Sequence, residues 1–336
     1  MNIYIINIMG KHIKLFEQHT DYSEYMSSSY LVRPNVSNCI QEDEVHYNPR
    51  TWADEYLTIE SIEDNNEIYL KATNNTETKT IFVSTDNGET WVKYTSSESG
   101  TLLATLDAGE RILIKGEVGI DDEEAYVGNY FASTGQFEVK GNIMSLIKGD
   151  NFINTNELTV AYAFASLFSD CEHLISAENL ILPATTLSDY CYDHMFSNCE
   201  SLVTTPNLPA TNLATGCYSY MFYGCKNLVS VTELPATILK TYCYSSMFNE
   251  CSSLEIAPDL LARQLVTRCY DNMFYNCKKL KYIKAMFTTG PSLNYTSNWV
   301  YGVSIFGLFI KNSSAGWIAT NVNSVPSNWT IERHST

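Results

Sequence analysis

The sequence predicts a mainly β protein with α/β repeats: an N-terminal extended arm, a β-sandwich, and a solenoid of stacked coils closed by a C-terminal cap. Three observations carry this. A nine-residue segment beginning at Cys191 returns with little change at Cys217, Cys243 and Cys269, a step of 26 residues. Upstream of it, apolar residues alternate with a period of two between turn signals. Downstream, the tail is aromatic and does not repeat.

The repeat is defined by four columns: Met195, Met221, Met247 and Met273; Phe196, Phe222, Phe248 and Phe274; Cys199, Cys225, Cys251 and Cys277; Leu202, Leu228, Leu254 and Leu280. A looser earlier copy supplies Phe168, Cys171 and Leu174, one step of 28 residues before the first. These columns are apolar because a single coil cannot bury its own inner side; equivalent residues of successive coils must stack. Leu208-Pro209-Ala210-Thr211 recurs as Leu234-Pro235-Ala236-Thr237, and proline there ends a short strand. The Tyr/Met/Phe segment that follows reads as a short helix or an irregular convex turn.

The pattern Met-Phe-x-x-Cys-x-x-Leu, followed by Leu-Pro-Ala-Thr, resembles the BspA-like leucine-rich repeats of bacterial surface proteins, over residues 158–290. The resemblance implies a recognition scaffold and does not name a ligand. The fourth copy departs from it, with Leu261-Ala262-Arg263 where Pro-Ala-Thr is expected.

Before the repeats, runs such as Tyr56-Leu57-Thr58-Ile59 and Glu67-Ile68-Tyr69-Leu70, separated by turns such as Asp86-Asn87-Gly88, predict a β-sandwich over 55–150. Residues 1–54 carry Tyr22, Tyr25, Tyr30 and Tyr47 and little periodicity, and read as an extended arm for anchoring or oligomerisation, ordered chiefly by another chain. This arm resembles, more loosely than the repeats do, arms of proteins from gut bacteria and their phages. The solenoid is expected over 151–290, as about five coils. The cap is expected over 291–336, with Trp299, Phe306, Phe309, Trp317 and Trp329 covering its open end.

The net charge of −17 in 336 residues leaves no basic stripe for phosphates, so nucleic acid is not an expected partner. No apolar run is long enough for a transmembrane helix, and the N-terminus lacks a basic leader, so classical secretion is not expected. Nine of the ten cysteines lie in the repeats without C-x-x-C pairs, and identical positions in neighbouring coils predict buried, reduced thiols rather than a metal site or disulfides. The histidines, His12, His19, His46, His173, His194 and His334, form no constellation, and no cofactor fingerprint is present.

Ser84-Thr85-Asp86-Asn87-Gly88-Glu89-Thr90-Trp91 fits the Asp-box of sialidase propellers, but one copy predicts a structural hairpin, not a propeller. The column Tyr192, Tyr218, Tyr244 and Tyr270 is read as core, with sugar stacking as the alternative. Positions that vary between coils are the candidate ligand contacts: Tyr220, Tyr223, Glu250, Tyr275, Lys278 and Lys279. The functional expectation is a non-enzymatic attachment protein on a phage virion surface, made without a signal peptide. It would bind a surface glycan or protein of a bacterial host or neighbouring cell and self-associate or anchor through 1–54. A BspA-like bacterial adhesin is the alternative, and a glycan-active enzyme the remote one.

Overall fold

The computed structural model describes residues 3–8, 11–16, 54–73, 77–116, 126, 128–317 and 320–334, the first two stretches as backbone. The chain divides into two compact units, Met1–Pro49 and Arg50–Thr336. In the first, β1 (Ile3–Ile8) pairs antiparallel with β2 (Lys11–Phe16), Ile8 opposite Lys11. The expected arm therefore begins as a hairpin, which its alternating Ile-x-Ile pattern favours. The rest of the expected arm, with its tyrosines and Cys39, lies outside the described residues.

The second unit opens with β3 (Leu57–Ser61), β4 (Asn66–Ala72), β5 (Thr80–Ser84), β6 (Val92–Thr95), β7 (Thr101–Leu106), β8 (Arg111–Gly116), β9 (Asn129–Ser133) and β10 (Phe137–Asn142). They form two sheets. One has the order β10-β3-β8-β5-β6 and the other β7-β4-β9, and every pairing within them is antiparallel. Alternation does the sorting: along β4, Asn66, Ile68, Leu70 and Ala72 are buried while the residues between them are partly exposed. Ile68 and Leu70 share one apolar cluster with Leu57, Ile59, Ile112 and Ile114 of the other sheet.

The Asp-box segment closes the β5–β6 hairpin. Thr90 donates to Asp86 through its backbone N–H (2.9 Å) and its hydroxyl (2.6 Å), and the Ser84 hydroxyl donates to Asp86 Oδ1 (2.7 Å). These donors hold the Asp86 carboxyl down at about 2. The motif is a turn lock here.

From residue 157 onward the chain winds into coils. In their turn-rich side, backbone N–H groups alternate between two destinations. Tyr192, His194 and Phe196 donate to Cys217, Ser219 and Met221 in the next coil (3.0, 3.0 and 2.9 Å). Asp193, Met195 and Ser197 donate back to Tyr190, Tyr192 and His194 within the same coil (3.1, 3.2 and 3.0 Å). Half of the donors thus close turns and half tie coil to coil, so the backbone is satisfied without a helix. This corrects the expected α/β repeats: among the described residues the only α-helix is α1 (Ser145–Lys148), before the repeats. The reason is a left-handed residue at regular intervals, such as Tyr190, His194 and Asn198 in one coil, which no α-helix tolerates.

Two aromatic columns run through the coils. Phe168, Phe196, Phe222, Phe248 and Phe274 stack at centroid spacings of 5.5, 5.5, 5.7 and 5.9 Å. Tyr192, Tyr218, Tyr244 and Tyr270 stack at 5.7, 5.8 and 5.9 Å. All four tyrosines are buried, so this column is core and the sugar-stacking alternative falls. Its perfect period reflects packing against an identical neighbour.

The nine described cysteines are free and buried. One ladder of them bonds from coil to coil. Cys199, Cys225, Cys251 and Cys277 each donate a thiol hydrogen bond to the carbonyl of Phe168, Phe196, Phe222 or Phe248 in the preceding coil, at 3.0–3.1 Å. Cysteine fills a small apolar space and adds a second hydrogen bond to a carbonyl that already accepts a backbone N–H within its own coil, such as that of Cys225 on Phe222 (3.2 Å). Burial is the main cause that raises these thiol pKa values.

The Tyr192 and Tyr244 hydroxyls are buried without a hydrogen-bond partner among the described residues. A buried unsatisfied hydroxyl costs about 1–3 kcal/mol. Tyr244→Phe should therefore be neutral or stabilising by up to about 1–2 kcal/mol in urea unfolding; a loss above about 1 kcal/mol would show that the hydroxyl has a partner such as a buried water.

Both ends of the coil stack are closed. At the start, β11 (Leu174–Ser176) and β12 (Leu180–Ile181) pair in parallel with β10, so the first sheet runs on into the coils. Phe131 of β9 stacks on Phe168 (5.5 Å) and Tyr126 on Phe164 (6.4 Å), extending both columns into the sheets. At the far end, Trp299 terminates both columns, 6.2 Å from Tyr270 and 6.1 Å from Phe274. β13 (Tyr282–Ala285), β14 (Leu308–Asn312) and β15 (Thr330–His334) form a parallel ladder. Trp299, Phe309 and Trp329 are buried as a cap requires, and Trp317 is half-buried against Phe287 and Phe309. Phe306 is not part of the cap: it falls in the leucine column by sequence but is 66% exposed. The strand register itself is kept beyond it, with Leu308 of β14 opposite Tyr282 of β13, again a step of 26 residues.

Candidate functional site

The turn-rich side of the coils is where the side chains break the repeat. Three positions per coil take the left-handed conformation: Tyr190, His194 and Asn198; then Gly216, Tyr220 and Gly224; then Tyr242, Ser246 and Glu250; then Arg268, Asn272 and Asn276. Glycine and asparagine fit this region readily, whereas other L-residues are disfavoured by roughly 1–2 kcal/mol each. Tyrosine at Tyr162, Tyr190, Tyr220 and Tyr242 is thus held against backbone preference.

These side chains stack outside the core. The Tyr162 and Tyr190 rings lie 5.0 Å apart and nearly parallel. The His194 ring lies 4.5 Å from Tyr220, and Asp193 pairs with its Nδ1 at 2.9 Å. Tyr220 is tilted against Tyr223 at 5.9 Å. Burial, then the Glu250 carboxylate and Tyr220, raise the Tyr223 phenol above its ordinary value, with Lys226 opposing. Three of the sequence candidates, Tyr220, Tyr223 and Glu250, therefore share one half-buried patch across two coils.

Tyr275 connects through the backbone, its carbonyl accepting the Glu250 N–H (2.7 Å), and its ring stacks on Tyr301 at 4.9 Å. Lys278 and Lys279 are exposed past the Cys277 corner and take no part in the ring stacks among the described residues. Sequence reasoning missed His194, Tyr190 and Tyr242. The signal for the tyrosines was there: Tyr242 lies two repeat steps after Tyr190, with Gly216 between. It stays hidden until the left-handed backbone is known.

Residues 164–296 match the family described as BspA type leucine rich repeat region, in six copies. The chain carries a BspA-type leucine-rich-repeat region. The match supports a repeat-based recognition protein working through protein or surface contacts. Neither the curated proteins nor the solved structures searched contain a match to the chain. The BspA-type segment begins where Phe164 and Phe168 stack against the sheets and ends near Trp299, so the matched repeats and the two aromatic columns coincide. Among the described residues no group of His, Cys, Asp or Glu could hold a metal ion, and no helix is long and apolar enough to cross a membrane.

Proposed function

We propose that this chain is a non-enzymatic recognition or attachment protein whose coils form a solenoid that binds through its turn-rich face. The observation that carries this is the set of tyrosines kept in left-handed positions and stacked outside the core, where glycine or asparagine would fold more easily. A purely structural turn face has no use for that cost.

In the same reading the protein sits on a phage virion surface as a fibre, decoration or host-binding component, with 1–54 anchoring it or joining copies. It recognises a surface glycan or protein of a bacterial cell. The BspA-type repeats favour a second reading, a bacterial surface adhesin, which uses the same face. The test is co-sedimentation of fluorescently labelled protein with intact bacteria. The Tyr220→Ala/Tyr223→Ala double variant should lower the bound fraction at least about tenfold, which is roughly 1.4 kcal/mol; unchanged binding would remove this face from the proposal. Mass spectrometry of purified virions against cell envelopes separates the two settings.

A further inference from the structure

The turn that leads into β14 displays two adjacent large apolar side chains to solvent. Ile305 is 70% exposed, and Phe306 beside it is exposed to nearly the same degree. In the preceding coils the residue in the place of Phe306 is a buried leucine: Leu202, Leu228, Leu254 and Leu280. Here Trp329 takes the inner side of the turn. Its indole N–H donates to the Ser304 carbonyl at 2.8 Å, and a Cβ on Gly307 would meet its ring at 2.6 Å. The Ser304 hydroxyl donates to the Phe306 carbonyl at 2.9 Å, and the Ser304 N–H donates to the Leu280 carbonyl at 3.2 Å. Ile305 and Phe306 are thus turned out on a braced turn, and apolar groups held in water this way mark a contact surface.

The neighbouring coil supplies positive charge. Residues 276–286 hold four lysines and no acid, in a molecule of net charge −17. Lys281 and Lys284 are paired with Glu255 and Asp259, each at 2.5 Å. Lys278 and Lys279 are exposed and enter no ion pair among the described residues. The field of Lys279 reaches Glu255, but the hydrogen bond of that carboxylate goes to Lys281. Both lysines directly precede Leu280, whose carbonyl holds Ser304, so they share one corner with Ile305 and Phe306.

We propose that this corner docks on an anionic lipid bilayer, with Ile305 and Phe306 entering the acyl boundary and Lys278 and Lys279 lying at the headgroup phosphates. Two observations favour a bilayer over a partner protein. The apolar pair stands out on a turn, so a protein would have to offer a pocket, whereas acyl chains part around it. The corner is also small. A specific protein interface buries about 800 Å² on each partner, and the exposed residues on the next rung, Ser327 and Asn328, are neutral and polar. Charge sets the direction of approach: anionic lipid repels the acidic bulk and attracts this corner. The contact goes beyond the turn-rich face and does not rest on it.

The experiment is co-sedimentation of the full chain with vesicles of phosphatidylglycerol and phosphatidylcholine, against vesicles of phosphatidylcholine alone. Lys278→Gln/Lys279→Gln and Ile305→Ser/Phe306→Ser are compared with the parent, and near-UV circular dichroism confirms that each variant is folded. The parent should bind the anionic vesicles, lose that binding as salt rises, and bind the neutral ones more weakly. Each double variant should lower the partition onto anionic vesicles by about fivefold or more, the lysines through the surface potential and the apolar pair through lost acyl contact. No binding to anionic vesicles, equal binding to both vesicle types, or binding unchanged in either variant would overturn the proposal. Capture on an immobilised glutamate-rich peptide, dependent on the same residues and without vesicle binding, would overturn it in favour of an acidic protein partner. None of these readouts involves Tyr220 or Tyr223, so failure of this corner and failure of the recognition reading are distinguishable.

Discussion

Replacing Phe222 by alanine will lower the unfolding free energy by about 3–5 kcal/mol, measured as a shift of the urea midpoint at constant slope. The ring is fully buried and stacked on both faces, 5.5 Å from Phe196 and 5.7 Å from Phe248. The coils above and below are fixed by backbone hydrogen bonds, such as Phe196 to Met221 and Phe222 to Met247, so they cannot close over the cavity. The cost of a cavity grows as its walls fail to relax. The same substitution at Phe306, exposed in the same sequence region as the cap, should cost less than about 1 kcal/mol. A cost at Phe222 below about 1 kcal/mol would mean that the column is not the core of the stack.

The second large effect concerns the join between sheets and coils. A fragment starting at residue 151 will not fold to the native coil stack. It will be aggregated or loosely packed by size-exclusion chromatography and will bind a hydrophobic dye. The first coil borrows its partners from the sheets. Phe164 and Phe168 stack on Tyr126 and Phe131, the Cys171 thiol donates to the Phe131 carbonyl at 2.9 Å, and Phe137 donates its N–H to the His173 carbonyl. Without the sheets, this end exposes two aromatic columns and a row of unpaired backbone groups, the end that repeat proteins must cap. Phe131→Ala in the full chain should cost about 3–5 kcal/mol and shift one shared transition. A soluble, cooperatively folding fragment, or separate transitions for sheets and coils, would show the two parts to be independent.

The inner columns and the outer face differ in how much of them the sequence reveals, and the reason is physical. The Phe, Cys and Leu columns were readable because stacking against an identical neighbour imposes identical residues at each step. The face that varies was only partly readable. Tyr220, Tyr223 and Glu250 stood out as departures from the repeat, and they do meet. Lys278 and Lys279 departed as clearly and do not join them, because variation alone cannot tell a shared patch from a solvated corner. His194 was invisible as a partner of Tyr220 because its importance lies in a ring stack across a coil step, not in any histidine pattern.

The sequence by itself determined that these residues repeat with a fixed step, which columns are buried, that the cysteines are packed as small hydrophobes, and that Ser84 to Trp91 makes a hairpin. Each of these follows from local spacing and apolar period. Only the tertiary structure decided that the repeats are built from turns and not helices, that the sheets and coils share continuous aromatic columns, and that the Tyr190 ring covers Gly216 of the next coil. Those features depend on backbone handedness and on which coil a side chain leans toward, and neither leaves a period in the sequence.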